Sequence, residues 1–113
     1  GMTTPETEFI RVASAQDLIP GQGLKVFVGK KSVALFRVNG NVYAVQNACP
    51  HRGAPLAAGE VTGTQVVCPD HAWKFCLKTG QTPEDPECGL MVYDVKEADG
   101  EIWVSRLPRL QAE

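Results

Sequence analysis

Apolar and polar residues follow one another in short runs along this chain, and turn residues close nearly every run. Phe9–Val12 is a brief stretch rich in β-formers, and Asp17-Leu18-Ile19-Pro20-Gly21 ends it with a Pro-Gly turn. Leu24–Val28 and Ser32–Val38 are apolar and β-branched and are joined through Gly29-Lys30-Lys31. Asn39-Gly40 then separates Phe36-Arg37-Val38 from Val42-Tyr43-Ala44-Val45. Asn-Gly between two such runs predicts a tight hairpin, because a type I′ turn needs positive φ at both central residues. Asp99-Gly100 predicts a second hairpin between Met91–Val95 and Glu101–Ser105. No 3.6-residue apolar pattern persists for about ten residues without a Gly or Pro, so no helix is expected. The pattern predicts an all-β fold, a small antiparallel sandwich or barrel with a loop-built site inserted between its strands.

Length and charge narrow the function. At 113 residues the chain has room for one small domain, expected over residues 8–108. A formal net charge of −2 with no local Lys/Arg cluster gives no electrostatic footprint for nucleic acid. No run approaches the roughly 18 apolar residues of a membrane span. The N-terminal Gly1-Met2-Thr3-Thr4-Pro5 carries no basic or apolar leader segment, so a cytoplasmic protein is expected. The first eight and last five residues are expected to fray.

The middle of the chain, roughly residues 47 to 89, is rich in Pro and Gly and holds both histidines and all four cysteines. It contains Cys49-Pro50-His51-Arg52-Gly53 and then, with sixteen residues between His51 and Cys68, Cys68-Pro69-Asp70-His71-Ala72-Trp73. The spacing is C-x-H followed by C-x₂-H. Two thiolates and two imidazoles suit zinc or an iron–sulfur cluster. Zinc sites usually space paired ligands two to four residues apart, so a one-residue spacer is unusual for them. A [2Fe–2S] diamond fits better, with Cys49 and Cys68 on one iron and His51 and His71 on the other; substituting His₂ for Cys₂ raises the potential.

These residues resemble the signature of the Rieske [2Fe–2S] family, and the resemblance extends from Phe9 to Val104. It implies a β base domain with a cluster-binding subdomain inserted at about residues 47–80. Within the family, Cys49–Gly59, Trp73-Lys74 and Asp85-Pro86-Glu87-Cys88 before Tyr93 are most similar to the small subunit of NAD(P)H-dependent nitrite reductase. Phe75-Cys76-Leu77-Lys78-Thr79-Gly80 is shared with the ferredoxins of ring-hydroxylating dioxygenases. The first likeness implies a partner subunit bearing FAD, a [4Fe–4S] cluster and sirohaem. The second implies a flavoprotein reductase and a terminal oxygenase. A reading of a different class is a non-redox binding module clipped together by zinc.

The resemblance also bears on the potential. Membrane-anchored, high-potential members tie their cluster loops with a disulfide, whose cysteines would fall at Ala54 and Asp70 here. They also place hydroxyl donors beyond the second His, where this chain has Trp73 and Phe75. Fewer donors imply a low-potential cluster. The imidazole edges should face solvent, ringed by Pro50, Arg52, Pro69 and Trp73 as a docking patch. Trp73 reads first as a packing residue, Cys76 and Cys88 as reduced thiols, and Glu84-Asp85-Pro86-Glu87 as a solvated loop. Gly53, Gly59 and Gly63 are assigned to loop geometry. Both histidines being committed to the cluster, none remains for a mononuclear iron triad, and no G-x-G-x-x-G dinucleotide loop is present. No catalytic residue is assigned, and substrate chemistry is expected on the partners.

Overall fold

The computed structural model describes residues 8–109. Among them are ten strands: β1 (Phe9–Ser14), β2 (Leu24–Val28), β3 (Lys31–Val38), β4 (Asn41–Gln46), β5 (Glu60–Thr62), β6 (Gln65–Val67), β7 (Lys74–Cys76), β8 (Val92–Tyr93), β9 (Val95–Ala98) and β10 (Glu101–Ser105). They form three sheets, ordered β1-β10-β9, β2-β3-β4-β8 and β5-β6-β7, and every pairing is antiparallel. The only helical elements among the described residues are two single 3₁₀ turns, Ala15–Asp17 and Leu56–Ala58. The all-β expectation holds.

Both predicted turns form as their chemistry requires, although the first arm of the second hairpin is Val95–Ala98 and not Met91–Val95. Asn39 and Gly40 have φ of 52° and 83°, and Asp99 and Gly100 have 54° and 76°. The link between β2 and β3 is shorter than expected. Val28 pairs with Lys31, leaving only Gly29-Lys30 in the turn.

The run Val33-Ala34-Leu35-Phe36 explains how the base holds the site. All four residues are fully buried, so β3 is covered on both faces, as a continuous apolar run rather than an alternating one implies. Val33 and Leu35 join Val26, Val28, Ala44, Tyr93, Ile102 and Val104 in one core. Ala34 and Phe36 turn the other way and join Val45, Leu56, Val66, Phe75, Leu77 and Leu90 with Cys49 and Cys68. β3 and β4 are therefore a wall between two cores, and the second carries both thiols of the candidate site.

Met91–Val95 is not the single strand its composition predicts. The chain leaves the four-stranded sheet after Tyr93 and enters the β1-β10-β9 sheet at Val95. Asp94, between them, is fixed by buried Ser105: the Asp94 N–H donates to Ser105 Oγ at 3.0 Å, and its carbonyl accepts the Ser105 N–H at 2.9 Å. A side-chain hydroxyl on a strand 11 positions later decides where the sheet changes, so a local pattern cannot show it.

Of the termini expected to fray, residues 1–7 and 110–113 lie outside the described residues. Glu8 and Arg109 are held in place. The Arg106 N–H donates to the Glu8 carbonyl at 2.8 Å, and the Arg109 N–H to the Val92 carbonyl at 2.6 Å, with the Arg109 guanidinium on Asp94.

Candidate metal centre

Two loops of the same build supply the candidate donors. In the first, the Cys49 carbonyl accepts the Gly53 N–H at 2.6 Å, and the Cys49 N–H donates to the Ala54 carbonyl at 2.9 Å. In the second, the Cys68 carbonyl accepts the Ala72 N–H at 2.9 Å, and the Cys68 N–H donates to the Trp73 carbonyl at 2.8 Å. Each turn closes four residues beyond its cysteine on positive φ, 79° at Gly53 and 65° at Ala72. The two loops thus present their cysteines in the same way. The first is steadied by Asn47, whose Oδ1 accepts the Ala57 N–H at 2.8 Å.

The donors converge. Cys49 and Cys68 are 2% and 1% exposed. His71 Nε2 lies 3.3 Å from Cys49 Sγ and 3.7 Å from Cys68 Sγ, and the ligand atoms of these three residues all fall within 4.8 Å of one another. His51 is exposed and stands beside this group. Its ring centroid is 4.8 Å from that of His71, with the planes crossed at 85°. Trp73 completes the cluster, 4.8 Å from the His51 ring and 5.0 Å from the His71 ring. Burial pushes the Cys49 thiol up, and the neighbouring Cys68 adds to the effect; the N–H groups of His51 and Arg52 pull partly the other way. Two sulfurs crowded in an apolar setting need a cationic partner to hold both as thiolates.

A metal group fits these residues on two observations. His71 Nδ1 is buried and has no hydrogen-bond partner, an expensive state for a polar atom that a metal would relieve. The donor set is two thiols and an imidazole, with a second imidazole in ring contact. A single zinc ion could also use the three nearest donors.

The sequence profile of the Rieske [2Fe-2S] domain matches residues 8–97. The chain belongs to the Rieske [2Fe–2S] family. The biphenyl dioxygenase ferredoxin subunit of Pseudomonas sp. (strain KKS102) is 34% identical over 90 residues, covering 78% of this chain and 83% of its own. Ferredoxin CarAc of Metapseudomonas resinovorans is 32% identical over 99 residues, covering 86% and 92%. Among solved structures, a putative NADH-dependent nitrite reductase small subunit from Mycobacterium tuberculosis superposes with a TM-score of 0.81 at 30% identity, covering 93% of this chain and 97% of that one. The Rieske domain brings a [2Fe–2S] cluster as its cofactor and electron transfer as its role.

This Rieske protein has no disulfide between its loops. All four cysteines are free. An ion pair, Arg52 Nε to Asp70 Oδ2 at 3.9 Å, spans the loops instead. Both side chains are largely exposed, so the pair contributes at most about 1 kcal/mol. Pro50, Arg52 and Pro69 are exposed as expected, and Phe75 is fully buried. Trp73 is only half-buried, against the imidazoles. Among the described residues no helix is long and apolar enough to cross a membrane.

Sequence reasoning missed a third turn of the same build. The Cys76 carbonyl accepts the Gly80 N–H at 2.7 Å, and the Cys76 N–H donates to the Gln81 carbonyl at 2.8 Å. Gly80 has φ of 81°. The signal was available, since Cys49 and Cys76 are each followed four residues later by Gly. No histidine follows Cys76, and it stands outside the donor group. Burial alone would push its thiol up, but the Thr79 hydroxyl, the Thr79 and Lys78 N–H groups and the Lys78 charge outweigh it and hold the thiol below the ordinary value. Its thiolate therefore persists to lower pH than an ordinary cysteine's. Iodoacetamide should modify Cys76 with a rate that rises with pH and reaches half its plateau below the ordinary thiol pKa. Mass spectrometry of the labelled peptide checks this, and a midpoint at or above the ordinary value would contradict it.

The acidic loop is partly built in as well. Glu84 Oε1 accepts from the Thr82 hydroxyl at 2.7 Å and from the Lys74 N–H at 3.3 Å, beside the second cluster loop.

Proposed function

We propose that Cys49, His51, Cys68 and His71 hold the cluster and that the protein serves as the electron-carrying small subunit of an NAD(P)H-dependent nitrite reductase. One observation carries the ligand set: paired turns bring Cys49, Cys68 and His71 into one donor group, with His51 in ring contact. When bound, a [2Fe–2S] cluster supplies one reversibly held electron. The chain's own part is to bind and to shield. Cys49 and Cys68 offer buried thiolates, the His51 and Arg52 N–H groups favour the charged form of Cys49, and exposed His51 gives the group an edge at the surface.

Support for the nitrite reductase assignment comes from Cys49–Gly59, Trp73-Lys74 and Asp85–Cys88, and from the likeness to the mycobacterial protein. The identity to the biphenyl and CarAc ferredoxins favours a second reading, a ferredoxin passing electrons from a flavoprotein reductase to a ring-hydroxylating oxygenase. Affinity purification of the tagged protein from its own cells separates the two. On the first reading a large flavoprotein and NAD(P)H-dependent nitrite reduction co-elute. Elution without nitrite reduction, together with support of aromatic hydroxylation by a purified reductase and oxygenase, would overturn it.

The potential follows from the same residues. Trp73 and Phe75 carry no hydroxyl to donate to the cluster, and no disulfide ties the loops. The expected reduction potential lies towards the low end of the Rieske range, about −150 mV. Protein-film voltammetry measures it directly, and a value near about +300 mV would contradict the proposal.

A further inference from the structure

Neither imidazole of the site is steered by a hydrogen bond from the protein outside the donor group. His71 Nδ1 has no partner, and the His71 Nε2 contacts are to the two thiols. The His51 side chain makes ring contacts only. Metal-bound histidines are ordinarily oriented through the ring nitrogen that does not bind the metal, by a carboxylate, carbonyl or water. At this site the neighbour that both rings share is an indole. Trp73 touches both rings, tilted by 31° to His51 and crossed at 72° to His71. The two histidines come from different loops, so this side chain bridges them. It is also fixed at both ends. Its carbonyl accepts the Cys68 N–H at 2.8 Å, and its side chain packs on the core that holds Phe36, Phe75, Cys49 and Cys68.

We propose that Trp73 is the positioning residue of this site: anchored in the core, its indole holds the imidazoles of His51 and His71 at their crossed angle. The inference rests on the ligand set given under Proposed function. An apolar plug that merely filled space could be replaced by any side chain of sufficient bulk. A positioning ring could be replaced only by another ring.

The test compares cluster-loaded wild type with Trp73→Phe and Trp73→Leu. Leu keeps an apolar side chain on the core and removes the ring face, so the variant need not lose its fold; circular dichroism and thermal melting check that. The readouts are the line widths and g anisotropy of the reduced EPR spectrum and the rate of iron release to a chelator. Trp73→Phe should keep the wild-type spectrum and release rate. Trp73→Leu should show broadened g values and release iron about tenfold faster, the scale seen when residues supporting metal ligands are lost. Unchanged lines and release in Trp73→Leu, or equal losses in Phe and Leu, would overturn the positioning role. A wild-type protein without a two-iron signal would instead overturn the ligand assignment beneath it.

Discussion

Cys68→Ser should purify colourless and nearly free of iron, against about two iron atoms per chain in the unsubstituted protein. Cys68 is 1% exposed, and its sulfur lies 3.7 Å from His71 Nε2. The backbone of its turn does not depend on the thiol. The bonds from the Ala72 N–H and to the Trp73 carbonyl are made by the Cys68 main chain and survive the change. What disappears is a soft anionic donor, because a serine hydroxyl stays protonated where a thiol ionises and suits iron–sulfur chemistry poorly. Cys88→Ser, outside the donor group, should keep its full iron content and colour. Iron analysis and visible absorption read both variants, and full iron in Cys68→Ser would contradict the ligand set.

The second large effect belongs to the wall between the cores. Phe36→Ala should cost about 3–5 kcal/mol, a large fraction of the roughly 5–15 kcal/mol by which a domain is stable. Phe36 is fully buried and packs in the same core as Cys49, Cys68 and Leu56. There is little slack to close the hole. A Cβ at Gly23 would lie 2.8 Å from the Phe36 ring and 2.7 Å from the Ala57 Cα, so backbone already presses on that side. Urea denaturation measures the loss. A change below about 1 kcal/mol would mean the site-side core collapses freely around the missing ring.

How much of this was legible in the chain depends on how local each cause is. The two hairpins could be read because Asn39-Gly40 and Asp99-Gly100 determine their own backbone. The candidate donors could be picked out by the spacing Cys49-x-His51 and Cys68-x₂-His71, of which the structure gathers Cys49, Cys68 and His71 and leaves His51 in ring contact beside them. The uninterrupted Val33–Phe36 run signalled a strand, but only the packing shows it dividing two cores. The third sheet escaped detection: β5, β6 and β7 are three residues each, too short for a period to emerge from a Pro/Gly-rich stretch. The change of sheet at Asp94 and the contact of Trp73 with both histidines depend on partners distant in sequence or on another loop. The family likeness placed Trp73 beside the imidazoles, but its angle to each ring, like the partner of Asp94, is set by the packing.

The central claim, a [2Fe–2S] cluster held by two thiolates and two imidazoles, is tested most directly by low-temperature EPR of the dithionite-reduced protein with iron and zinc analysis on the same sample. A rhombic signal with average g near about 1.9 and about two irons per chain is the predicted result. An EPR-silent sample with one zinc per chain would contradict it and leave a binding module in place of an electron carrier.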